Sequence, residues 1–208
     1  MVWKAAGGPP SYASCIVGTF GGVRQIVGYD AVSLGGWDVA TGARLWKLVP
    51  PEAGDYNVPT PIAIDGKLLV TTENNGTRLY AFDGTGRIVP EPRAWNEDLA
   101  SDTCTPVVLG RRACGVSMTG ELLCLDTSQD LKTVFALKDA AFKDHVSLIG
   151  YGDRLLVTSV GGELVLVSVG AGAGGVLVIA THCPSWATTP AAQPDGRSST
   201  MRRAVSSR

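Results

Sequence analysis

Apolar and polar residues alternate in short runs along this chain, and most runs stop at a Gly, Asp, Asn or Pro. Thr60-Pro61-Ile62-Ala63-Ile64 gives way to Asp65-Gly66 and then to Lys67-Leu68-Leu69-Val70. The same order returns as Thr105-Pro106-Val107-Val108-Leu109 followed by Ala113-Cys114-Gly115-Val116. It returns again as Ser147-Leu148-Ile149-Gly150-Tyr151, Gly152-Asp153 and Arg154-Leu155-Leu156-Val157. Runs of this kind, joined by Asp-Gly or Gly-Asp pairs that tolerate the positive φ of a tight hairpin, predict antiparallel strands.

A longer period lies over this alternation. Gly36-Trp37-Asp38-Val39-Ala40-Thr41-Gly42-Ala43-Arg44-Leu45-Trp46-Lys47 is an apolar strand end, an Asp-x-x-Thr-Gly turn and an apolar strand start. The Asp returns 45 residues later at Asp83 and 43 residues after that at Asp126. A further 42 residues lead to Ser168, in Leu164-Val165-Leu166-Val167-Ser168, where the strand pattern persists without the Asp. The apolar residue after the turn recurs through Trp3, Trp46, Val89, Phe135 and Leu177. A period of roughly 40 to 50 residues, with several short strands in each unit, is the signature of a propeller blade. The predicted fold is therefore an all-β β-propeller of four-stranded antiparallel blades.

These units resemble the repeats of pyrroloquinoline-quinone-type (quinoprotein-like) β-propellers, whose blade ends in Leu-Tyr-Ala-Leu-Asp-x-x-Thr-Gly-x-x-Leu-Trp. Leu79-Tyr80-Ala81-Phe82-Asp83 carries the first part of that motif, and Asp38-Val39-Ala40-Thr41-Gly42-Ala43-Arg44-Leu45-Trp46 the second. The resemblance covers residues 1–179. It implies either a quinone-dependent dehydrogenase or a propeller without catalysis, such as the scaffold lipoprotein of outer-membrane protein assembly. It also suggests a periplasmic or cell-envelope location. No signal peptide is read at the start of this chain, because no basic stretch leads there into an apolar one.

The units are placed at about 1–11 (partial), 12–49, 58–90, 103–137 and 145–179, which makes about four blades. Seven or eight blades of this period would need more than 300 residues, against 208 here. Because Met1-Val2-Trp3-Lys4 aligns with Arg44-Leu45-Trp46-Lys47, the chain is read as opening on the last strand of a blade. The expectation is a partial propeller. The alternative is a closed four-bladed ring in which Trp3 completes the fourth blade, although Val176-Leu177-Val178-Ile179 already offers that strand. An incomplete propeller leaves two blade faces open to water, so self-association is expected of it.

After Ala180 the alternation stops. Residues 181–208 hold 12 Ser, Thr or Pro and four Arg against one Asp. Low apolar content of this kind predicts a disordered, low-complexity tail over 180–208. Loss of the coding frame near residue 170 would give the same change. Four Arg spread among Ser make a weak electrostatic footprint for an anionic partner.

Composition narrows the function classes. The formal net charge is −1 with signs interspersed, which gives the folded part no reason to bind nucleic acid. No apolar run reaches the roughly 20 residues of a membrane span. Cys104, Cys114 and Cys124 fall at ten-residue intervals, on what the pattern reads as successive strands. A disulfide between neighbours and buried cysteines acting as small hydrophobes are both open readings. Metal binding is disfavoured, as no Cys-x-x-Cys pair or nearby His accompanies them. The vicinal cysteine pair of many quinone alcohol dehydrogenases is absent.

No catalytic residue is assigned. His145, beside Asp144, reads as a surface-loop histidine, and no Gly-x-Ser-x-Gly, phosphate-loop or His-Glu-x-x-His pattern occurs. Asn74-Asn75-Gly76-Thr77 reads as a hairpin turn, and Asn75-Gly76-Thr77 also spells a glycosylation acceptor. Propellers bind where the loops before first strands and between second and third strands converge. Those loops hold Asp55-Tyr56-Asn57, Trp95-Asn96-Glu97-Asp98 and Asp144-His145, with Tyr29-Asp30, Glu73-Asn74 and Ser117-Met118. Under the resemblance, Glu73 and Asn74 are oxygen ligands of the sort a calcium and pyrroloquinoline quinone centre uses, with Asp30 or Asp98 as base. The alternative for all four is solvated loop polarity. The sequence thus favours a binding or scaffold module with protein partners, and a fragment of a quinone-dependent alcohol or sugar dehydrogenase is the competing reading.

Overall fold

The computed structural model describes residues 1–170 and 181–182. It contains four four-stranded antiparallel sheets, each in simple up-and-down order. The first holds β1 (Ile16–Phe20), β2 (Val23–Tyr29), β3 (Leu34–Asp38) and β4 (Arg44–Leu48). The second holds β5 (Ile62–Ile64), β6 (Lys67–Thr72), β7 (Gly76–Tyr80) and β8 (Ala94–Asn96). The third holds β9 (Val107–Leu109), β10 (Arg112–Val116), β11 (Glu121–Asp126) and β12 (Lys132–Lys138). The fourth holds β13 (Val146–Tyr151), β14 (Arg154–Ser159), β15 (Glu163–Ser168) and β16 (Thr181–His182). Helix among the described residues is one 3-10 turn, Ala140–Phe142.

Local chemistry fixes these elements. At the β5–β6 hairpin Asp65 and Gly66 have φ of 46° and 73°, the pair of positive values that a type I′ turn needs. The recurring Asp closes the turn between third and fourth strands. Asp38 Oδ1 accepts the Thr41 hydroxyl at 2.8 Å and the N–H groups of Thr41 and Ala40 at 2.8 and 3.0 Å. Asp83 accepts Thr85 N–H, Thr85 Oγ1–H and Arg87 N–H, and Asp126 accepts the Ser128 hydroxyl and N–H. These bonds favour the ionised form and hold all three carboxyls below the ordinary carboxylate value. The repeated Asp is thus structural, spent on its own turn.

Three apolar cores hold the sheets together. Phe20, Val27, Leu34 and Trp46 of the first sheet meet Leu68, Val70 and Tyr80 of the second. Leu69 and Leu79 meet Ala113, Leu123 and Leu125 of the third. Cys114, Val116 and Leu122 meet Leu155, Val157, Val165 and Val167 of the fourth. Among the described residues no apolar core joins the fourth sheet to the first, so these two sheets stand at the ends of the arc.

Several details differ from the sequence reading. The second unit's outer strand was placed at Val89, in a unit ending near residue 90. Ile88 makes only an isolated bridge to Phe82, and the paired strand is β8, from Ala94 to Asn96. Pro90 and Pro92 explain the delay, since neither has an N–H to give the ladder. Trp3 lies outside any strand. Its ring covers Gly42, and its Nε1–H donates to Val39 O at 2.8 Å, so it docks on the Asp38 turn without extending a sheet. Cys104 lies in the loop before β9, not on a strand. The strand read at 176–179 and the tail from 180, apart from Thr181–His182, lie outside the described residues; Thr181–His182 is the fourth strand of the last sheet.

Candidate functional site

Two loop clusters form where inter-sheet loops meet the hairpins between second and third strands. The first surrounds the β6–β7 turn. Asp55 Oδ1 accepts Asn74 N–H at 2.8 Å, and its other oxygen accepts the side-chain amide of Asn75. Asn75 also donates to Glu52 O at 2.9 Å and accepts from the Arg78 guanidinium at 2.9 Å. Glu73 Oε1 accepts Tyr56 N–H. Asn57, left-handed at φ 52°, donates through Nδ2 to Asp30 O at 3.3 Å. Glu73 Oε2 and Asn57 Oδ1 are buried oxygens with no hydrogen-bond partner among the described residues.

Asp30 is occupied by its own loop. Burial opposes its ionisation, but hydrogen bonds from Val32 N–H and Ser33, with the Arg44 guanidinium 3.5 Å away, outweigh burial and keep its carboxyl below the ordinary value. A general base works best with a pKa near the operating pH, and Asp30 is moved away from it. The second cluster joins Ala100 to Met118, and Asp98, Ser117 and Met118 line the open groove beside it. The structure therefore brings Glu73, Asn74 and Asp30 to one cluster and places Asp98 in another. The resemblance implied one quinone and calcium centre; among the described residues, Asn74 lines one groove and Asp98 another. The hollow beside Asp55 and Asn57 is about 120 Å³, below the range of about 300–1,000 Å³ usual for a small-molecule pocket.

Other chemistry-bearing side chains are similarly placed. His145 Nδ1 lies 3.3 Å from Asp144 Oδ1, with both side chains about two-thirds exposed. Burial pushes the Cys104 thiol up to about 11, so it stays protonated at neutral pH and is a poor nucleophile. Cys114 and Cys124 face each other across β10 and β11 and form a disulfide with Cα atoms 4.0 Å apart. Asn75, within the glycosylation triplet, is 3% exposed and its amide is fully engaged, which closes it to modification in the folded chain.

The larger concavities are grooves. One of about 520 Å³ runs past Val49, Pro51, Tyr80, Pro92 and Trp95, with Glu52 and Glu91 at its sides. Another, of about 600 Å³, runs past Asp98, Ala100, Met118, Leu123 and Ala136. Arg78, which sequence reasoning missed, lies beneath the first groove, 5.5 Å from the Trp95 ring and 7% exposed. A charged residue in a strand reads as outward-facing, and nothing local in the sequence signals its burial.

No protein-family model matches this sequence, and no curated protein does. Solved structures do. BamB from Moraxella catarrhalis is similar at 20% identity and a TM-score of 0.58, over 83% of this chain and 50% of that chain. The computationally designed Ika4 protein is similar at 13% identity and a TM-score of 0.55, over 82% of this chain and 100% of that chain. This chain thus spans about half the length of BamB, and its fold is that of part of a β-propeller.

Proposed function

We propose that this chain is a non-catalytic binding or scaffold module whose partners are proteins. The observation that carries the reading is how its polar loop groups are used. Asp30 closes its own loop and Asp55 and Asn75 tie a loop to a hairpin, while the accessible concavities are open grooves edged by exposed apolar residues, among them Val49, Trp95 and Met118. Aromatic and Met side chains at a groove are the kind of anchors protein interfaces use. Likeness to BamB supports the same direction. The disulfide supports placement in an oxidising compartment such as the periplasm or cell envelope.

A dehydrogenase fragment is the second reading, favoured by the two unpartnered acceptors Glu73 Oε2 and Asn57 Oδ1. One experiment separates the two. Pyrroloquinoline quinone with calcium is expected to leave the melting temperature unchanged and to give no dye-linked oxidation of alcohols or sugars. A quinone-dependent rise in melting temperature with dye reduction, both lost in Glu73→Gln, would establish the dehydrogenase reading instead.

A further inference from the structure

The two inner sheets and the two end sheets are buried differently. β6, β7, β10 and β11 are buried along almost their whole length, on both faces. β13 and β15 instead alternate between buried and accessible residues. In the fourth sheet, one register row, Leu148, Val157 and Val165, faces the third sheet. The next row, Ile149, Leu156 and Leu166, faces away from it. Ile149 is 64% exposed and Leu164, on the same side, 36%. At the other end of the arc, Ile16, Val27 and Trp46 face the second sheet, while Val17, Ile26 and Trp37 form a row that faces away. Val17 is 56% exposed. Each end sheet therefore presents an apolar row of the kind that, on the inner sheets, is covered by a neighbouring sheet.

We propose that these two open faces are complementary halves of one junction, and that two copies of this chain close on each other by making that junction twice about a two-fold axis. The repeat supplies the complementarity. The face that the fourth sheet leaves open corresponds to the face with which the third sheet receives the fourth, and the first sheet's open face corresponds to the one the fourth sheet offers to the third. At that internal junction Gly150 of β13 sits against Val107 and Leu109 of β9. By alignment of the first strands at their hairpin turns, Thr19 of one copy takes the place of Gly150, between Ile149 and Tyr151 of the other.

The lengths agree with closure by two. The same arc matches half of the BamB chain, so two copies supply as much chain as that protein contains. A head-to-tail contact closes when its rotation completes a ring and otherwise runs on into a filament. The proposal is independent of whether the module is catalytic.

Sedimentation equilibrium of the 208-residue chain over a dilution series tests it. The expected mass is twice 21.7 kDa, without larger species. Ile149→Glu and Val17→Lys, both at exposed positions, should each weaken the dimer about a thousandfold, because each change enters both junctions at roughly thirtyfold apiece. Mixing the two variants should restore a dimer, which then has one unaltered junction and one with Glu opposite Lys. Circular dichroism with the β-sheet signature unchanged shows that the variants remain folded. A monodisperse monomer, a ladder of masses that grows with concentration, or no rescue on mixing would overturn the proposal.

Discussion

Trp46→Ala is expected to lower the free energy of unfolding by about 3–5 kcal/mol, the range for deleting a large buried aromatic side chain. Trp46 is 6% exposed and stands edge-on to Phe82, with ring centroids 5.7 Å apart. Phe82 in turn stacks on Phe20 at 4.5 Å, so the indole closes an aromatic cluster between the first and second sheets. Its Nε1–H donates to Gln25 Oε1 at 2.6 Å, and Gln25 Nε2 donates onward to Gly86 O at 2.9 Å in the second sheet's turn. Gln25 is fully buried. Truncation would leave both a cavity and an acceptor without its donor, and the latter alone costs about 1–3 kcal/mol. Trp46→Phe isolates that second part and should cost the smaller amount. Set against the total of about 5–15 kcal/mol typical of a domain, the Ala variant should lose a large share of its stability in urea unfolding. A change below about 1 kcal/mol would mean that this core does not join the two sheets.

Removing the Cys114–Cys124 disulfide is expected to cost roughly 2–3 kcal/mol, from the chain entropy released when a loop of ten residues is no longer closed in the unfolded state. The two residues are directly paired in the β10–β11 register, and both are fully buried in the core between the third and fourth sheets. Melting with and without reductant, alongside the Cys114→Ala, Cys124→Ala double variant, checks this. Reductant should lower the melting temperature of the parent chain and leave that of the double variant where it was. Equal melting of parent and double variant would show that the crosslink contributes nothing to stability.

Most of the fold was legible because it is written in repeats of local pattern. Alternation gives the strands, Asp65-Gly66 gives a turn, and Asp38, Asp83 and Asp126 mark the same corner in three units. The departures arise where one residue type overrides the pattern. Pro90 and Pro92 postpone a strand that the period placed at Val89. The ten-residue cysteine spacing left the pairing open, and it resolves through register: Cys114 and Cys124 are symmetric about the Ser117–Gly120 turn, whereas Cys104 lies before its sheet begins. The candidate site was legible only as a set of loops. That Asp55 would bind the turn at Asn74 and Asn75, and that Arg78 would lie beneath Trp95, depends on side chains meeting across 17 to 20 residues or on opposite orientations in a strand. No local signal encodes either.

The openness of the arc is tested most directly by a chain carrying Thr19→Cys and Ile149→Cys in a Cys15→Ser, Cys183→Ser background, treated with a short bis-maleimide and separated by mass under denaturing conditions. The account predicts a covalently linked dimer, since these positions meet only between copies. A link formed within one chain, with the product remaining at monomer mass, would show that the first and fourth sheets already touch in a closed four-bladed ring, and would contradict it.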